Sequence, residues 1–83
     1  MRTFRKSVPQ TGDDITIPSG IKFVVIKNVG DHKMAFNFDD DGINDFYSLE
    51  IAEKTPIMHV QSGQKFNYKG IGGNSTIEVL AWS

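Results

Sequence analysis

Asp39, Asp41 and Asp45, with Gly42 among them, place hard oxygen donors close together in one short stretch. Carboxylates on alternate residues followed by a glycine for the sharp turn make the front half of a calcium loop. A complete loop ends on a bidentate carboxylate at its twelfth position, which is Glu50 when Asp39 is counted as the first. Glu50 falls in a stretch that reads as strand, a poor place from which to close a cage, and no helical pattern flanks the loop. Asp, Asn and Gly also favour turns in their own right, because they tolerate left-handed backbone and bond to their own main chain. The bland reading is therefore a solvated acidic turn, with calcium as the sharper alternative. Carboxylates paired for glycosidic cleavage need a cleft between them, and neighbours on one loop supply none.

Two histidines are present, His32 in a turn and His59 in a short strand beside Met58 and Val60. Without a third ligand nearby they make a weak zinc site. Ser48, Ser62 and Ser75 are nucleophiles only if a base stands beside one of them. Gly70-Ile71-Gly72-Gly73 looks like a phosphate cradle but lacks the following lysine and the helix whose N-terminus would hold the anion. A turn that needs positive φ explains it better. Trp82, Tyr68, Phe66 and Phe46 suggest a sugar platform, yet a small domain needs most of its aromatics for the core. Trp82 is the expected exception.

The elements that position these residues are strands. From Lys65 to Gly70 apolar and polar residues alternate with a period of two. Gly72, Gly73 and Asn74 follow, and then Thr76 to Trp82, rich in β-branched and aromatic residues. Two such runs around a glycine-rich turn predict a hairpin, with positive φ expected at Gly73. Ile21 to Val29 is apolar on both faces, which predicts a central strand, or one at a subunit contact, with Lys27 and Asn28 nearer solvent. Met34, Phe36 and Phe38 continue it as a second hairpin. Shorter strands are expected over 3–8, 15–17, 46–51 and 57–60, with Tyr47, Leu49 and Ile51 sharing one face. Turn signals recur every eight to twelve residues, and no window has helical periodicity. The fold class predicted is all-β: one small antiparallel β-sandwich of jelly-roll type over residues 1–83, with about seven or eight strands and essentially no helix. Residues 1–10 are a candidate extended N-terminal arm.

A chain of 83 residues buries only about 60–65% of the surface its unfolded form exposes, and with no cysteine it has no disulfide to help. That favours packing against partners. The absence of cysteine also excludes a thiolate metal site and a cysteine nucleophile. Nine basic against ten acidic residues give a net charge of −1, not the footprint of a nucleic-acid binder. Arg2, Arg5 and Lys6 have no apolar run behind them, which argues against a signal peptide. Apolar runs of four residues or fewer argue against a membrane span.

Ile15-Thr16-Ile17-Pro18-Ser19-Gly20, the acidic Asp39-Asp40-Asp41-Gly42 loop, and Lys69-Gly70-Ile71-Gly72-Gly73-Asn74-Ser75-Thr76-Ile77-Glu78-Val79 ending in Leu80-Ala81-Trp82 together resemble small tailed-phage virion proteins. These are short, cysteine-free, all-β chains that decorate or cement capsids or serve as auxiliary head proteins. The resemblance implies a sandwich or jelly roll, a symmetric oligomer (a trimer is favoured), the major capsid protein as second partner, residence in the virion and no enzymatic activity. No cofactor, metal or catalytic residue is assigned, and neither nucleic acid nor membrane is expected as a partner. Phe4, Arg5, Val8 and Trp82 are the candidate contacts with a neighbouring subunit or the shell. A second reading is a module for host glycans or a cell-surface protein, assisted by calcium at Asp39, Asp41 and Asp45. A third, an enzyme of the cupin type, would share the strand order but would need histidines clustered with a carboxylate inside the barrel.

Overall fold

The structure, a computed structural model, describes residues 2–38 and 46–83. Eight strands follow one another: β1 (Arg2–Val8), β2 (Asp13–Thr16), β3 (Phe23–Asn28), β4 (Lys33–Asn37), β5 (Tyr47–Leu49), β6 (Met58–His59), β7 (Lys65–Ile71) and β8 (Ser75–Trp82). No helix occurs among the described residues. The strands form two antiparallel sheets, β1-β8-β3-β6 and β2-β7-β4-β5. The chain changes sheet at every connection except β4 to β5. That order is the jelly roll, two Greek keys wrapped face to face, as the alternating strands and regular turns predicted.

Both expected hairpins are corrected. β7 and β8 lie in opposite sheets, as do β3 and β4. The turns reverse the chain where they were placed, but each reversal carries it across the core instead of back along the same sheet. Buried Phe66 and Tyr68 on β7 and buried Ile77 and Val79 on β8 belong to one core cluster, so the apolar faces of the two strands pack together. The positive φ falls on Gly72 (79°), not Gly73. Gly73 is small because the His32 ring lies against it, 2.6 Å from where a Cβ would stand.

The core is made of inward residues from both sheets, among them Val8, Val24, Ile26, Met34, Phe36, Leu49, Phe66, Ile77 and Val79. β3 is central in its sheet, between β8 and β6. Its inner residues Val24, Ile26 and Asn28 are buried, whereas Phe23 and Val25 remain half-exposed on the outer face. β1 pairs with β8 over its whole length, from Arg2 opposite Ala81 to Val8 opposite Ser75. Residues 2–8 are therefore an edge strand of the chain's own sheet and not a loose arm. In the other sheet, burial and the carboxylates of Asp13 and Asp14 push the Tyr68 phenol above its ordinary value; Asp13 lies directly opposite it on β2.

Asn28, expected near solvent, is completely buried and ties five segments together. Its Nδ2 donates to the carbonyls of His32 (2.8 Å) and Leu49 (3.1 Å). Its Oδ1 accepts from the Gly30 amide (3.1 Å) and lies 2.7 Å from the Ser75 hydroxyl. Its own amide donates to the Glu53 carbonyl, and its carbonyl accepts from the Ala52 amide. Buried polar atoms are tolerable only when paired, and this side chain is paired on every side.

Candidate ligand-binding site

The sandwich opens on the side where two short edge strands, β5 and β6, face each other across the core. A cleft of about 490 Å³ lies there. One wall is aromatic. Phe36, Phe38 and Tyr47 line it; Phe36 stacks on Tyr47 (centroids 6.2 Å, 27° between planes) and meets Phe38 edge-on (5.9 Å, 77°). The facing wall is Thr55, Pro56 and Met58, with Glu53 and Lys54 also lining the cleft. Tyr47 is 77% exposed, so its ring stands at the mouth.

Backbone pairing sets that facing wall. The Thr55 amide donates to the Ile26 carbonyl (2.8 Å) and the Thr55 hydroxyl accepts from the Ile26 amide (3.0 Å). The bond from the Asn28 amide to the Glu53 carbonyl continues the pairing. The segment from Glu53 to Thr55 thus runs along β3 and prolongs the sheet edge beyond the two residues of β6. Pockets for small molecules typically have about 300–1,000 Å³ and mostly apolar walls with few polar groups, and this cleft meets both conditions.

Several residues singled out by type lie elsewhere. Val8 is fully buried and not free to contact a partner, while Phe4 is half-buried and packs against the core. The cause is strand alternation: Phe4, Lys6 and Val8 share the inner face of β1. Arg5 faces outward and makes a two-nitrogen contact with one Glu78 oxygen (2.7 and 3.0 Å). Trp82 is half-exposed, stacked on Phe23 (5.8 Å, 24°), and His59 lies on the other side of Phe23 (5.3 Å). Phe66 and Tyr68 are core residues, and Phe46 receives the Lys69 ammonium over its ring at 4.4 Å. Ile51, expected to share one face with Tyr47 and Leu49, lies beyond the strand, because β5 ends at Leu49; Tyr47 and Ile51 are both exposed. Ser75 is buried and spends its hydroxyl on Asn28 Oδ1 and the His32 carbonyl. Asp39, Asp41 and Asp45 lie outside the described residues. Glu50 follows β5, in a turn, with its carboxylate 3.3 Å from Lys33 Nζ. Among the described residues no helix is long and apolar enough to cross a membrane.

No family model matches the chain, and no curated protein does. Solved structures do match in shape. A de novo designed double-stranded β-helix superposes with a TM-score of 0.66 at 13% identity, covering 98% of this chain and 99% of the design. The fold is that of the double-stranded β-helix. The Cupin_2 domain of an XRE family transcriptional regulator from Enterobacter cloacae gives a TM-score of 0.62 at 9% identity (98% of this chain, 81% of that one). FeII HppE gives 0.68 at 7% identity over 96% of this chain, which spans only 42% of the HppE chain.

The HppE match corrects one expectation. The resemblance to virion proteins implied no enzymatic activity. HppE, which contains the same fold, is solved with its substrate bound, and the likeness points away from reading a sandwich of this kind as a non-enzyme. The iron of HppE raises a separate question, whether this chain's residues fit such a metal. Among the described residues none do. His59 points off the outer face of its sheet onto Phe23, and His32 Nδ1 is engaged with the Asn74 carbonyl at 2.9 Å. The interior is apolar, with Ile17, Phe36, Phe66 and Val79 in the core and Ile15 packed against it. Among the described residues no three His, Cys, Asp or Glu side chains gather to hold an ion.

Proposed function

We propose that this chain is a ligand-binding domain of double-stranded β-helix architecture, taking a small, flat, mainly apolar molecule into the cleft between β4–β5 and the segment 53–58. The observation that carries this reading is the aromatic wall of Phe36, Phe38 and Tyr47 beside an opening of about 490 Å³. A planar ligand sliding between Tyr47 and Met58 would bury apolar surface at about 25 cal/mol per Å² and meet few polar groups. The substrate-bound HppE structure supports the reading by analogy of fold. The test uses the dye 8-anilinonaphthalene-1-sulfonate with amide-shift mapping. Binding should perturb Phe36, Tyr47, Thr55 and Met58, weaken about tenfold in Tyr47→Ala, and disappear in Met58→Trp, where the larger side chain fills the cleft. Shifts that ignore both substitutions overturn the proposal.

A second reading keeps the resemblance to tailed-phage virion proteins, as a self-assembling tile on the major capsid protein. It is favoured by the outer face of the β1-β8-β3-β6 sheet, where Trp82, Phe23 and His59 form one row across three adjacent strands. Aromatic anchors of this kind carry much of the energy of protein interfaces. Trp82→Ala should then lower the sedimentation-derived mass toward that of the monomer while the fold survives, and should abolish co-sedimentation with shells of its own phage. Unchanged mass and unchanged co-sedimentation would remove this reading.

A further inference from the structure

The two sheets end in four edge strands, and they are not equally protected. β2, β5 and β6 have four, three and two residues, and short edges offer little for another chain to pair with. β1 has seven. Its register with β8 is unbroken, one residue opposite one residue from Arg2 to Val8, so no bulge twists it away. Proline appears only at position 9, after the strand ends. The far side of β1 has no strand among the described residues.

Side chains beside this edge say what it would accept. Arg2, Arg5 and Lys6 make β1 basic in a chain of net charge −1, and the Arg5 side chain stays 69% exposed despite its pair with Glu78. The charge is uneven. Near the Lys6–Val8 end the chain turns at Pro9 and Gly12 into β2, which opens with exposed Asp13 and Asp14. Among the described residues the Arg2–Arg5 end has no acid opposite it other than Glu78. We propose that β1 is a docking edge for an extended polypeptide segment of a partner protein, which adds as a fifth strand with acidic residues beside Arg2 and Arg5. Main-chain bonds would supply affinity, while charge would supply register.

The test uses the full chain and a blocked eight-residue peptide with two glutamates three residues apart, so that one falls on each face of the added strand, and threonine and valine elsewhere. Amide hydrogen exchange should slow across Arg2–Val8 and not at β5. Affinity should fall about tenfold when Arg2→Glu and Thr3→Glu are combined, both at exposed positions, and several-fold from low to physiological salt. A peptide with lysine in place of glutamate should bind weakly or not at all. Melting of the double variant, expected near that of the parent, separates lost docking from lost folding. The proposal is overturned if β1 amides gain no protection, if the lysine peptide binds equally well, or if β1 is already protected by self-association in the protein alone. Failure of the dye to enter the cleft would leave this result unchanged, since no residue of β1 lines the cleft.

Discussion

Replacing Asn28 by leucine should cost about 3–4 kcal/mol and lower the melting temperature by roughly 15–25 °C. Leucine has as many side-chain heavy atoms as asparagine but is bulkier, so the loss is chiefly one of pairing, with some overpacking added. Four groups lose their partner at once: the carbonyls of His32 and Leu49, the Gly30 amide and the Ser75 hydroxyl. The Ser75 hydroxyl can still turn to the His32 carbonyl at 2.8 Å, which limits the damage. The Gly30 amide has no such recourse without movement of the turn. A thermal melt followed by circular dichroism checks this, with Lys27→Leu as the comparison. Lys27 is next in sequence but exposed, and its replacement should shift the midpoint by little. Equal midpoints for the two variants would show that the Asn28 bonds contribute nothing net.

The second large effect is expected at Gly70. This glycine is buried near the end of β7, and its φ is not positive. Its smallness matters because backbone passes over it: an added Cβ would overlap the Gly73 carbonyl oxygen and come within 3.1 Å of the Val8 carbonyl oxygen. Backbone cannot swing aside as a side chain can. The Gly70 amide also donates to the Pro9 carbonyl at 3.0 Å, which fixes the strand from a third direction. Gly70→Ala should therefore destabilise by about 2–3 kcal/mol. Gly72→Ala is the informative contrast. Its φ of 79° opposes any side chain, but a Cβ there meets nothing within 4 Å, so only the backbone term of about 1 kcal/mol applies. Urea titration of both variants checks the order, and a reversal would mean the corner at Gly70 relaxes easily.

The strands were legible in the sequence because alternation is local: all eight appear within a few residues of where periodicity and turn residues put them. Their partners were not legible. Lys65 to Trp82 has every local mark of a hairpin, yet whether a reversal stays in its sheet or crosses the core depends on what else competes for each strand's edges. Here β4 and β2 flank β7, while β3 and β1 flank β8. Asn28 was misread because a polar residue at a strand end usually means solvent. The contrary signal was present, since Val24, Ile26 and Asn28 follow one another at a spacing of two on the face that proved to be inner. Alternation on β1 likewise put Phe4 and Val8 inside and left Arg5 outside, so a list by residue type mixed two faces. The cleft had no sequence mark. Tyr47 alternates with Leu49 on one face of β5, and nothing in that alternation tells that Leu49 is buried while the Tyr47 ring lies at an opening.

The Arg5–Glu78 contact joins residues 73 positions apart, as part of the pairing of β1 with β8. During synthesis β1 therefore waits on the ribosome surface, unpartnered, until its mate has cleared the exit tunnel. Late closure of so distant a pair makes acquisition of the native state slow and exposes a nascent chain to wrong pairings in the interval.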